Sequence, residues 1–154
     1  MAYKHILVAV DLSEDSQQVL SRAREAADLN GARLSMVSVV KPLTQVYGGL
    51  DMAPISSGAV SFEEEAVKQA KAQLTDLAGR YGAKAEDVHV ILGAPAHEIR
   101  DVADSAGADL IVIGTHGRHG LGLLLGSTAS GVIHGVQCDV LAVRVSSEAR
   151  EIPS

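Results

Sequence analysis

Hydrophobic positions in this chain fall into short continuous runs separated by amphipathic stretches. His5-Ile6-Leu7-Val8-Ala9-Val10 is the first such run, and it ends at Asp11. Continuous rather than alternating hydrophobicity marks a strand covered on both faces, as in a parallel sheet. Ser13 suits a helix N-cap. Beyond it, Val19, Leu20, Ala23, Ala26 and Ala27 recur at helical spacing and predict one buried face, stopped at Asn30-Gly31. Residues 34–40 supply a second strand and complete a βαβ unit.

Residues 41–60 show no clear period and are punctuated by Pro42, Gly48, Gly49, Pro54 and Gly58. A connection of that length in a compact domain is usually functional or mobile. Ser61-Phe62-Glu63-Glu64 is a capping-box pattern and predicts a helix start. Behind it, Ala66, Val67, Ala70, Leu74, Leu77 and Ala78 form an apolar stripe ending near Gly82, with Glu63, Glu64, Glu65, Lys68 and Lys71 as the solvated face. Val88-His89-Val90-Ile91-Leu92 is the third strand. Pro95 suits the first turn of the next helix, whose buried side is Ile99, Val102, Ala103 and Ala106 and whose stop is Gly107. Leu110-Ile111-Val112-Ile113 is the fourth strand, residues 127–135 the fourth helix, and Val140-Leu141-Ala142-Val143-Arg144-Val145 the fifth strand. Five strands alternating with four helices predict an open five-stranded parallel sheet with helices on both faces. One domain over residues 1–146 is expected, followed by a polar tail at 147–154. No internal repeat, linker or low-complexity segment interrupts it.

Composition narrows the function. Aromatic residues are scarce, with one Phe, three Tyr and no Trp, so the core is built of Val, Ile, Leu and Ala. The chain therefore lacks stacking platforms for single-stranded nucleic acid. A formal charge of −6 offers no basic field for a phosphate backbone. Nucleic acid is excluded as a partner on these grounds. The single cysteine, Cys138, forms no intrachain disulfide and fits a reducing compartment; its place before an apolar run favours packing over reactivity. The first residues pass directly into a strand, leaving no room for a signal h-region, and no apolar run reaches membrane-span length. A soluble cytoplasmic protein is expected.

The chemistry concentrates where the fourth strand runs out. Gly114, Gly117, Gly120 and Gly122 are four glycines within nine residues, and Gly126-Ser127-Thr128 then opens a helix. Glycines let a backbone approach a ligand closely. The first turn of a helix presents free N–H groups and the positive end of its dipole to an anion. In open parallel sheets ligands bind beyond the carboxyl ends of the strands, where strand order reverses. If the first and fourth strands flank that point, Asp11 faces the glycine loop across one crevice: a carboxylate for a ribose hydroxyl or a metal, opposite a phosphate cradle. A Walker A loop needs a lysine that Gly126-Ser127-Thr128 lacks, and the turn after the first strand holds Asp11-Leu12-Ser13 rather than a dinucleotide fingerprint. His116 and His119 are too few for a structural zinc site, and His116 better serves as a phosphate contact. His134 and Cys138 are four residues apart at a helix-to-strand junction, a chance-level spacing for a nucleophile pair. His5, His89 and His97 read as structural or surface residues.

The whole chain to Val145 resembles the universal stress protein family. The resemblance is carried by Tyr3-Lys4-His5-Ile6-Leu7-Val8-Ala9-Val10-Asp11-Leu12-Ser13, by Asp109-Leu110-Ile111-Val112-Ile113-Gly114, by Gly114-x2-Gly117 with the later Gly126-Ser127, and by Cys138-Asp139-Val140-Leu141-Ala142-Val143-Arg144. It implies a Rossmann-like sheet, of the adenine nucleotide alpha hydrolase-like kind, in order 3-2-1-4-5, and a homodimer formed through the fifth strands. Family members with the glycine motif tend to bind ATP, while others lack it and do not. The first ten or so residues look more like the latter group and the glycine loop like the former; the loop, which contains the phosphate donors, decides. Its stretch from Arg118 to Leu125 is one residue shorter than the family's usual spacing, a length that some binding relatives share. By position, the resemblance assigns Asp11 to the ribose and Val39, with Ala9 nearby, to the adenine. It assigns Gly114, Gly117, Gly126, Ser127 and Thr128 to the phosphates, with His116 and Arg118 beside them.

The leading expectation is an ATP-binding homodimeric regulator of stress adaptation, with or without Mg²⁺, acting on a protein partner that the sequence does not name. A slow ATPase or phosphotransferase stands second, because no general base is evident apart from Asp11. A nucleotide-free scaffolding dimer stands third.

Overall fold

The computed structural model describes residues 2–13, 15–42, 57–115 and 126–145. Its elements are β1 (His5–Ala9), α1 (Ser16–Asn30), β2 (Arg33–Val40), α2 (Ser57–Tyr81), a 3-10 turn (Ala85–Asp87), β3 (Val88–Leu92), α3 (Pro95–Ala106), β4 (Leu110–Gly114), α4 (Ser127–Gly135) and β5 (Asp139–Val143). The strands form one parallel sheet in the order β3-β2-β1-β4-β5, as expected. β1 is central, and all five of its residues are buried. Alternation splits them between two cores. Ile6 and Val8, with Val10 beyond the strand, pack with residues of α1 and α2 such as Leu20 and Leu74. Leu7 and Ala9 pack with Ile99 and Val102 of α3 and Ala129 and Val132 of α4. Each large aliphatic side chain removed from water in this way contributes about 1.5–3 kcal/mol, well above any helix propensity.

Several boundaries differ from the sequence pattern. α2 begins at Ser57, four residues before the capping box at Ser61. A single internal Gly58 costs a helix only about 1 kcal/mol relative to Ala, too little to end one that is packed on a sheet. Ser13 is not an N-cap: α1 starts at Ser16, after Asp15, without a side-chain cap. The Ser13 hydroxyl is instead spent one turn earlier, donating to Asp11 Oδ1 at 2.7 Å and accepting the Asp15 N–H at 3.3 Å. β5 spans 139–143 rather than 140–145, because its partner strand ends where Gly114 pairs with Val143. The stops at Gly31 and Gly107 are as expected, both in the left-handed conformation, at φ 62° and 73°.

The amino-terminal end of the sheet is closed by side chains. Asp109 accepts the Lys4 N–H at 2.9 Å and the His5 N–H at 3.0 Å. Buried His5 bridges Ala106 O at 3.0 Å and Ser35 Oγ at 2.6 Å. A carbonyl only accepts, so Nδ1 is the donor to Ala106 O. Arg33, at the start of β2, grips the buried Asp87 through Nε, 3.1 Å from both carboxylate oxygens, and through Nη2. The hydrogen bonds from Arg33 hold the Asp87 carboxyl below the usual carboxylate range against the opposing effect of burial. Burial tends to raise Asp109, but the N–H groups of Lys4 and His5 outweigh it and leave that carboxyl lowered as well. Burial lowers the half-buried His89 ring, with Asp87 pulling the other way.

On the opposite face, α3 and α4 meet through small residues. Arg100 Nη1 donates to Gly131 O at 2.8 Å, and a methyl group on Gly131 would come within 2.7 Å of Ala96 Cβ. Close approach of the two helices therefore depends on Gly131 having no side chain.

Two predictions follow from these contacts. A base or acid whose pKa is lower in the folded state gives stability that is fully present above its unfolded value and lost as pH falls. Urea midpoints should therefore decline on acidification below 6.5, from His89, and again below 3.8, from Asp87 and Asp109. His89→Gln should flatten the first decline and Asp87→Asn shrink the second; a His89→Gln profile superimposable on the wild type between about pH 7 and pH 5 would refute the assignment. Separately, Gly131→Ala should destabilise by about 1 kcal/mol in urea unfolding, since overpacking costs about 1–3 kcal/mol and better helix propensity returns about 1. Adding Ala96→Gly should recover most of the loss.

Candidate functional site

Between β1 and β4 the chain departs in opposite directions. β1 leads through α1 to β2, and β4 leads through α4 to β5. This is the point of strand-order reversal, and in open parallel sheets ligands bind beyond the carboxyl ends of the strands there. Ala9 and Gly114 are the last residues of β1 and β4, and Val8 pairs with Val112 one step earlier. Asp11 and Thr115 stand just past those ends.

The sequence-predicted residues fall as follows. Ala9 is buried and Val39, in the last turn of β2, half-buried; both pack in the same cluster as Ala129 of α4. The structure thus brings the two expected adenine-side residues and the start of α4 to one face of the sheet. Gly126 is the N-cap of α4, with φ −65° and ψ 160° and no side-chain cap. A glycine there leaves no side-chain oxygen competing for the N–H groups of the first turn, which have no acceptor within the helix. Ser127 is exposed and Thr128 half-buried at that turn. His116, Gly117 and Arg118 lie outside the described residues, as do the His116–His119 pair and the tail at 147–154. Among the described residues no cluster of three or more His, Cys, Asp or Glu side chains is placed to hold a metal.

Asp11 is exposed, and its Oδ1 is already drawn into its own loop. It accepts Ser13 N–H at 3.0 Å, Ser13 Oγ at 2.7 Å and the buried Ser16 Oγ at 3.1 Å. This network fixes the carboxylate just past the carboxyl end of β1. Between them, Leu12 adopts φ 61°, a left-handed conformation that costs a non-glycine residue about 1–3 kcal/mol. Its side chain packs on the α1 and α2 core, and that burial offsets the strain. Sequence reasoning missed Leu12 and Ser16. A serine three residues before Val19, on the buried face of a helix, was the only signal for Ser16.

A second concavity, of about 260 Å³, lies between α1 and α2, lined by Leu12, Ser13, Ser16, Gln17, Gln73, Asp76 and Leu77. Leu12 and Leu77 belong to the core opposite the one that holds Ala9 and Val39, so this groove is separate from those two residues. Cys138 is half-buried, and burial, with Asp104, Asp139 and Asp109 nearby, pushes its thiol up and keeps it protonated. His134 Nδ1 engages Ser130 O at 2.7 Å within its own helix. No helix among the described residues is long and apolar enough to cross a membrane.

Comparison with known proteins places this architecture. The chain is 43% identical to universal stress protein A homolog 1 of Coxiella burnetii over 143 residues, covering 93% of this chain and 97% of that protein. Among solved structures it is similar to universal stress protein UspA from Lactobacillus plantarum, with 25% identity, a TM-score of 0.75, and coverage of 94% and 99% of the two chains. It is also similar to a universal stress protein solved in complex with cAMP, with 27% identity, a TM-score of 0.61, and coverage of 95% and 100%. The model of the universal stress protein family matches residues 2–144, and the chain belongs to that family.

Proposed function

We propose that this chain binds an adenine nucleotide, with ATP as the ligand, and acts as a homodimeric cytoplasmic regulator of stress adaptation. The observation that carries the reading is the start of α4, led by Gly126 without a side-chain cap and following β4 at the point of strand reversal. A helix N-terminus without a capping side chain offers its donors and its dipole to phosphate oxygens. A family relative solved with cAMP fits the same ligand class.

In this reading the backbone at Gly126 and Ser127 and the Thr128 hydroxyl hold phosphate, joined by Gly114, His116, Gly117 and Arg118 of the glycine motif. Ala9 and Val39 supply apolar contact to adenine. Asp11 serves the ribose hydroxyls, or Mg²⁺ where the nucleotide brings it. Binding biases the protein toward a form that a protein partner recognises, and self-association through β5 builds the dimer.

Slow hydrolysis or phosphotransfer ranks below binding. Asp11 is the one candidate base the sequence offers, and its Oδ1 is already engaged by three donors of its own loop and of α1.

The test is acid extraction and chromatography of the purified protein, with thermal shifts in ATP, ADP, AMP and cAMP. Co-purified adenine nucleotide is expected. Saturating ATP should add about 2.7 kcal/mol at a hundredfold excess over Kd. Ser127→Ala and Gly117→Val should reduce the shift, and Asp11→Ala should weaken it further for ATP than for inorganic phosphate. No nucleotide and no shift would overturn the reading and leave a scaffolding dimer in its place. Magnesium-dependent ADP release abolished by Asp11→Ala would promote the enzyme.

A further inference from the structure

Thr115, directly after β4, makes three hydrogen bonds to two separate parts of the chain. Its N–H donates to Val143 O at 2.9 Å, and its carbonyl accepts the Gly126 N–H at 2.5 Å. Its Oγ1 accepts the Val145 N–H at 3.3 Å. The first bond prolongs the β4–β5 ladder past the Gly114–Val143 pair. The second fixes the N-cap of α4. The third differs in kind: β5 has ended, and a side chain now takes the place of the neighbouring strand.

Val143 and Val145 are buried, at 8% and 6% exposure, so the intervening backbone is held against the core. A backbone N–H so placed needs an acceptor, and the Thr115 hydroxyl supplies it. One residue therefore anchors both the start of α4 and the carboxyl end of β5. A displacement of Gly126 is transmitted to Val145 through a single peptide unit and a side chain whose rotamer is restricted by β-branching.

We propose that Thr115 is a positioning residue that couples the start of α4 to the carboxyl end of β5, so that nucleotide bound at Gly126 and Ser127 steadies the backbone around Val145. The proposal rests on the nucleotide reading given above. Coupling of this kind is reciprocal: whatever steadies Val145 tightens nucleotide binding by the same factor.

Amide hydrogen exchange of the full chain, with and without ATP, tests it. In the wild type ATP should slow exchange at Val145 by about fivefold or more, the lower end of ordinary coupling between sites. Thr115→Val keeps shape and both backbone bonds but removes the hydroxyl acceptor. In that variant Val145 should exchange fast in both states while ATP still binds, and Thr115→Ser should restore the ATP effect. Protection at β1 amides reports whether each variant is folded. The wild-type comparison stands alone should Thr115→Val fail to fold. ATP that binds the wild type without slowing Val145, or that slows it equally in Thr115→Val, would overturn the coupling and leave the nucleotide reading intact. A wild type that shows no thermal shift with ATP would overturn the nucleotide reading, and the coupling with it.

Discussion

Burial of β1 on both faces is the constraint from which the rest of the structure follows. A strand whose successive side chains all leave water must be flanked by strands on both edges and by helices above and below. Right-handed crossovers then send α1 and α2 to one face and α3 and α4 to the other. The reversal of strand order beside β1 is a by-product of this arrangement. The stability of the sheet and the position of the proposed site share one origin, the apolar run Ile6-Leu7-Val8-Ala9.

The two ends of the sheet are built differently. At the amino end, charged and polar side chains reach across neighbouring elements: Asp109 to the Lys4 and His5 backbone, Arg33 to Asp87, and Tyr3 to Asp139 at 2.7 Å. The Arg33 bonds satisfy a carboxylate that burial would otherwise leave unpaired in a low dielectric, whereas the Tyr3–Asp139 and Lys4–Asp109 bonds lie at the surface. At the carboxyl end the polar groups are backbone N–H donors, hydroxyls and a carboxylate held within its own loop. A helix start without a side-chain cap, such as that of α4, is a cost to folding and the kind of feature that the proposed nucleotide site would use.

Much of this was legible in the sequence because apolar periodicity reports burial directly. The strands expected at 5–10, 88–92 and 110–113 and found at 5–9, 88–92 and 110–114, the helix stops at Gly31 and Gly107, and the start of α4 at Ser127 all needed only local pattern. The placement of Gly114, Gly126 and Asp11 at one end of the sheet also followed from alternating strands and helices. The misses share a physical cause. Ser13 and Ser61 both have the chemistry of a cap, but tertiary packing sets where a helix begins, and a hydroxyl goes to whichever donor or acceptor the fold brings nearest. The left-handed Leu12 is paid for by packing on a core that lies far off in sequence. Thr115 carries no local signal, because its partners Val143 and Val145 are nearly thirty residues away.

The bond between Thr115 O and the Gly126 N–H has a consequence for sequence change. It fastens together the residue before the glycine-rich stretch and the residue after it, so the ends of that stretch are fixed independently of what lies between. Insertion or deletion inside a segment whose ends are already joined alters only a closure entropy, and that grows slowly with length. The eight residues from Arg118 to Leu125 lie between those joined ends. A change of length there therefore leaves the bond between β4 and α4 in place.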